Sequence, residues 1–124
     1  MSDQRKEDRK NLMAFTPVYG LRPKTLLGYI EDLTVRGALV IGEKPVEVDK
    51  HLTLSIEFPR DVPKLTAPRL TVPARVAWCR KEKHSNYFDI GFEFTELKPD
   101  DAKTIEAILR RYKFRREVPP ANVE

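Results

Sequence analysis

Cysteine is nearly absent from this chain of 124 residues: Cys79 is the only one, which excludes an internal disulfide framework and any CxxC metal-binding pair. Histidine is almost as scarce, with His51 and His84 far apart in sequence. No HExxH or other close ligand spacing occurs, and the pairing of Cys79 with His84 finds no further ligand nearby. The glycine-rich phosphate loop, the GxGxxG fingerprint and the nucleophile elbow are missing too. No apolar run approaches the roughly 18 residues that a membrane-spanning helix needs. The charged stretch from Met1 to Lys10 has no apolar centre of the kind that marks a secretory signal. Cys79 reads as a passive thiol. The expectation is a cytoplasmic protein that is not an enzyme and holds no metal.

What is present is ordinary for one soluble domain, with 40% apolar and 34% charged residues. The net charge of +4 is mild, but its distribution is uneven. Basic residues gather near the start, at Arg5, Lys6, Arg9 and Lys10. They gather again near the end, at Arg110, Arg111, Lys113, Arg115 and Arg116. An anionic partner becomes plausible if the two ends meet in the fold.

Hydrophobic patterning then divides the chain. Residues 1–11 lack periodicity and read as a flexible basic arm, residues 12–116 as the folded domain, and residues 117–124 as a tail. The stretch from Leu12 to Tyr19 suits a strand in which Pro17 marks an edge or a bulge. Thr25 to Leu33 and Ala38 to Ile41 are further candidates. Leu52 to Phe58 alternates strictly, with Leu52, Leu54, Ile56 and Phe58 directed to one side. A proline-bearing connection from Pro59 to Arg69 follows. Leu70 to Arg80 alternates again and places Val72, Ala74, Val76 and Trp78 inward, with Cys79 on the opposite face. Tyr87 to Phe94 places Ile90, Phe92 and Phe94 on one face. Five to seven short strands of this kind indicate a barrel or sandwich. From Pro99 to about Arg115 the period becomes helical: Ala102, Ile105, Ile108, Leu109 and Tyr112 share a stripe. Asp100 and Asp101 complement the positive end of that helix.

The chemistry that stands out is for binding. Between two of the strands, Asp32 and Thr34 lie two positions apart, so an extended backbone directs both side chains the same way. Gly37 follows where the chain turns back. Arg5 and Arg9, four apart, can share one helical face or meet across a turn. Paired arginines can grip phosphate oxygens, stack on a flat base and bond the O6 and N7 acceptors of guanine. A carboxylate such as Asp32 suits the donor edge of the same base, a hydroxyl such as Thr34 can join it, and Gly37 permits close backbone approach.

Taken together these residues resemble the PilZ domain family, receptors for the bacterial second messenger cyclic di-GMP. That family carries RxxxR, here Arg5-Lys6-Glu7-Asp8-Arg9. It then carries [D/N]xSxxG, here Asp32-Leu33-Thr34-Val35-Arg36-Gly37. The segments Ala74-Arg75-Val76-Ala77-Trp78 and Asp89-Ile90-Gly91-Phe92-Glu93-Phe94, and the helix after them, also look like the later part of the family. The resemblance runs from about Arg5 to Arg116. Thr34 departs from the family's serine; it keeps the hydroxyl, adds a methyl and restricts χ1.

The resemblance implies an all-β fold, a six-stranded antiparallel β-barrel with a C-terminal α-helix. Carried over residue by residue, it implies that Arg5 and Arg9 bind phosphate and guanine, while Asp32, Thr34 and Gly37 supply the barrel half of the site. The implied function is a cyclic di-GMP receptor or adaptor that transmits binding to a downstream protein partner by ordering its N-terminal arm. Two alternatives stand beside it. One is a degenerate PilZ-like adaptor that works by protein contact without the nucleotide. The other is a barrel binding single-stranded nucleic acid, which the inward placement of most aromatics disfavours.

Overall fold

The computed structural model describes residues 16–58 and 69–111, the side chain of Arg111 excepted. Arg5 and Arg9, the basic arm, most of the Pro59–Arg69 connection, Tyr112 to Arg116 and the tail lie outside the described residues.

Strands β1 (Pro17–Gly20), β2 (Thr25–Leu33), β3 (Gly37–Gly42), β4 (His51–Glu57), β5 (Arg69–Lys81) and β6 (Phe88–Phe94) are followed by helix α1 (Pro99–Arg111). All neighbouring strands are antiparallel, and they close into a barrel in the order β1-β2-β3-β6-β5-β4. The architecture is that of a six-stranded β-barrel with one C-terminal helix, as the resemblance implied. Among the described strands, closure gives each one a hydrogen-bonded neighbour on both sides.

Alternation builds the interior. Leu54 and Ile56 of β4, Leu70, Val72, Ala74 and Val76 of β5, and Ile90 and Phe92 of β6 are buried with Val18, Ile30, Leu33 and Val40. Pro73 is tolerated inside the longest strand for a directional reason. Its carbonyl accepts from the Thr95 amide, so its missing N–H points to the side where β6 has already ended at Phe94. The barrel core also takes in Ile105 and Ile108 of α1, both fully buried, while Leu97 and Leu109 pack against it. Of the stripe read from the sequence, Ile105 and Ile108 are thus part of the core and Leu109 packs against it. Among the described residues no helix is long and apolar enough to cross a membrane.

Three register shifts interrupt the ladders: opposite Val18/Tyr19, between Ile30 and Asp32, and between Val76 and Trp78. Each inserts a residue that adds twist and curvature, which a small closed barrel requires. Two of them re-aim side chains at the candidate site. The shift at Glu31 explains why Ile30 and Leu33, three apart rather than two, both face the core.

The shift at Ala77 corrects the sequence reading. Val76 pairs with Phe92 and faces inward, but Trp78 pairs with Gly91 and is 39% exposed on the outer face. Cys79, expected outside, instead packs against the core. One added residue reverses the parity of everything after it.

Registers also define the ends of the barrel. Thr16 lies beside Ile30, whose amide donates to the Thr16 carbonyl at 2.9 Å. Leu33 pairs with Ala38, Gly37 with Glu93, and Glu57 with Arg69. The start of β1, the β2–β3 turn and the end of β6 therefore share one end.

Candidate functional site

The turn between β2 and β3 is held by a hydroxyl. Thr34 Oγ1 accepts from the Arg36 amide at 3.0 Å and from the Gly37 amide at 3.2 Å. The Thr34 amide in turn donates to the Gly37 carbonyl at 2.9 Å. This is a side chain standing in for the backbone of a turn. Two accepted bonds occupy the lone pairs of that oxygen, so what Thr34 can offer a ligand is its O–H, a donor. That O–H is 3.5 Å from the Gly37 carbonyl oxygen, a weak contact. Serine and threonine supply the same oxygen, so the methyl leaves the turn intact. Thr34→Ser is expected to be neutral within about 0.5 kcal/mol, and Thr34→Val to cost about 1 kcal/mol through the lost turn bonds. The difference between their urea unfolding midpoints checks this; equal midpoints would show that the hydroxyl does not hold the turn.

Asp32 precedes the turn and is half-buried on the outer face. Its Oδ1 accepts from the Leu33 amide at 2.9 Å, which fixes the carboxylate against its own strand. Gly37 has a structural role the sequence reading did not assign. A Cβ there would stand 2.0 Å from the Phe92 carbonyl oxygen, so close approach is to the neighbouring strand. The structure thus brings Asp32, Thr34 and Gly37 together at one end of the barrel.

Across the outer face the ladder pairs Asp32 with Leu39, Leu39 with Gly91, and Gly91 with Trp78. Residues directly opposite in antiparallel strands present side chains to the same face. Asp32, Leu39 and Trp78 therefore lie in one row. A Cβ at Gly91 would be 2.3 Å from the indole nitrogen, so the ring occupies the space that glycine leaves. The Arg80 guanidinium lies over the indole, 4.9 Å from its centroid.

Two charged groups flank the row. Arg75 meets Glu93 through Nε at 3.2 Å and Nη2 at 2.7 Å, and Asp49 through Nη1 at 2.6 Å. Its bonds to Glu93, then to Asp49, raise its pKa above the usual arginine value. Arg75 is thus committed to partners within the chain. On the other side, Glu31, Glu82 and Asp89 bring carboxylate oxygens within 4.8 Å of one another, with Glu31 and Asp89 buried. Glu82 also accepts from the Ser85 hydroxyl at 2.9 Å. Arg80, Lys81 and Lys83 stand beside Glu82 and Asp89 in the same region of the outer face, so positive and negative groups alternate there.

Sequence reasoning missed Trp78 as an outward residue, and it missed the carboxylate group. The first depends on a bulge, and the second joins residues on three separate segments. Arg5 and Arg9 lie outside the described residues, so their position relative to Asp32 is not part of this geometry.

No curated protein sequence matches the chain. Among solved structures it is similar to the Bacillus subtilis inhibitor of motility (MotI/DgrA), with a TM-score of 0.65 and 16% identity over 80% of this chain and 47% of that one. It is also similar to the Borreliella burgdorferi PlzA protein, solved in complex with c-di-GMP, with a TM-score of 0.52 and 14% identity over 81% of this chain and 45% of that one. At such identities these likenesses speak for the fold, and the chain spans less than half the length of either. The PilZ domain family model matches residues 3–111, from before Arg5 through the end of α1. A closed six-stranded barrel, its C-terminal helix and the turn at Asp32 all lie within that match, and the chain belongs to the PilZ domain family.

Proposed function

We propose that this chain is a receptor for cyclic di-GMP, binding it on the outer face beside the β2–β3 turn. The supporting observation is the shared barrel end: the Asp32–Gly37 turn sits where the chain arrives from its basic first residues. Thr16 is hydrogen-bonded beside Ile30, one residue before the bulge that precedes Asp32. Arg9 is seven residues before Thr16, a reach of at most about 24 Å in an extended chain, and Arg5 can reach about 38 Å. Both arginines can therefore contact a ligand held at Asp32.

In this reading the chemistry divides by charge. Arg5 and Arg9 take phosphate oxygens and the acceptor edge of guanine. The Asp32 carboxylate accepts from the N1–H and N2–H₂ edge, and Thr34 donates its remaining proton. Gly37 and the Thr34 oxygen keep the turn in shape. The site binds and releases without bond chemistry. Ordering of the first eleven residues on binding changes the surface offered to a downstream protein, which is the proposed output.

Calorimetric titration of the chain with cyclic di-GMP tests the proposal. Saturable heat supports the receptor reading. Absence of heat, with a protein partner recovered independently, favours the nucleotide-free adaptor instead.

A further inference from the structure

A ligand with two phosphates brings negative charge to the β2–β3 turn, and the turn is not bare of carboxylates. The turn carries Arg36, but Asp32 precedes it and Glu93 lies opposite its last residue, Gly37. A Cβ on Gly37 would stand 3.3 Å from the Glu93 Cα. Phe92 is buried, so alternation turns Glu93 outward, and its side chain is 55% exposed. Glu93 is two residues along β6 from Gly91, about 7 Å from the row that starts at Asp32. Unopposed, its carboxylate would repel a phosphate approaching Gly37.

Arg75 opposes it. From the facing position on β5 its Nε and Nη2 both donate to Glu93 Oε1, at 3.2 and 2.7 Å, while Nη1 donates to Asp49 Oδ1 at 2.6 Å. All three guanidinium nitrogens are thus engaged within the chain. An ion pair this exposed contributes little to folding stability. Its effect on the field beside Gly37 is another matter, because a dianion feels each nearby charge twice over.

We propose that Arg75 is a positioning residue for the ligand, which holds Glu93 and cancels its charge beside the β2–β3 turn so that a phosphate can approach there. This inference rests on the cyclic di-GMP reading above. Arg75 acts through Glu93 and does not grip the nucleotide. Arg75, Glu93 and Asp49 together carry one net negative charge. Neutralising Arg75 doubles that charge, neutralising Glu93 removes it, and neutralising both restores it. Affinity should follow the same order. Both groups are partly in water, so each step is a factor of a few and fades with added salt.

The test is calorimetry of the whole chain with cyclic di-GMP at low and high salt. At low salt Arg75→Gln is expected to weaken binding about threefold to tenfold, and Glu93→Gln to tighten it about twofold to fourfold. The double variant is expected within about twofold of wild type, and all differences should shrink at high salt. Lys24→Gln is the control. It removes the cation paired with Glu57 at 2.9 Å on β4, three strands from β3 in either direction around the barrel, and should leave affinity unchanged. Circular dichroism melts confirm that each variant is folded. Tighter binding by Glu93→Gln and recovery in the double variant are results that a merely structural role for the ion pair would not produce. Arg75→Gln at wild-type affinity, Glu93→Gln no tighter than wild type, a double variant as weak as Arg75→Gln, a loss that persists at high salt, or an equal loss in Lys24→Gln each overturns the role of Arg75 and leaves the receptor reading standing. No heat with the wild-type chain overturns the receptor reading and this role with it.

Discussion

Gly37→Ala is expected to lose about 3–5 kcal/mol of folding stability, a large fraction of what a domain of this size holds. The reason is the identity of the obstructing atom. The new Cβ would lie 2.0 Å from the Phe92 carbonyl oxygen, 3.1 Å from its carbon and 3.3 Å from the Glu93 Cα. All three belong to the backbone of the paired strand, so no rotamer change relieves the contact. The β3–β6 ladder must open at this end. With it go the bond from the Phe94 amide to the Arg36 carbonyl and the closure of Thr34 on Gly37. Gly20→Ala is the control, because a Cβ there meets only the flexible side chains of Leu52 and Leu27, the nearest atom at 3.3 Å. Urea unfolding should show a marked drop in midpoint for Gly37→Ala and a small one for Gly20→Ala. Equal effects would refute the argument.

Arg9→Ala and Asp32→Ala are expected to weaken cyclic di-GMP binding tenfold to a hundredfold each. Hydrogen bonds to charged groups contribute about 1.5–3 kcal/mol, and about 1.4 kcal/mol is a factor of ten. The two side chains would grip different edges of the ligand, so their losses should nearly add in the double variant. They differ in dependence on salt. In the proposed site Arg9 would meet the phosphates, so its contribution should shrink as ionic strength rises, whereas the partly enclosed Asp32 carboxylate should be less sensitive. Calorimetry at two salt concentrations reads both quantities. Unchanged affinity in both single variants would end the assignment of the two motifs to one site.

Much of this fold is legible in the sequence because its strands follow a period of two and its helix a period near 3.6. Thr25–Leu33 is both the predicted and the observed extent of β2. Ile105 and Ile108, read from the helical stripe, are fully buried. The grouping of Asp32, Thr34 and Gly37 was legible for a local reason: six consecutive residues make their own turn. The roles within that group were not. The Thr34 hydroxyl and Gly37 both answer to backbone atoms, those of the turn for one and those of β6 for the other. Residue types alone cannot separate a group that touches a ligand from one that shapes the loop beside it.

By itself, then, the sequence determined the class of this protein. Alternation, an amphipathic helix with acidic residues in its first turn and two short motifs in order are local properties, and together they specify a PilZ barrel. Only the tertiary structure decided which residues share a face. Parity along a strand holds until a residue is inserted, and the insertion at Ala77 sends Trp78 outward and Cys79 inward. The row from Asp32 through Leu39 to Trp78 exists because the barrel closes with β6 between β3 and β5, an order that pairing across the whole chain sets.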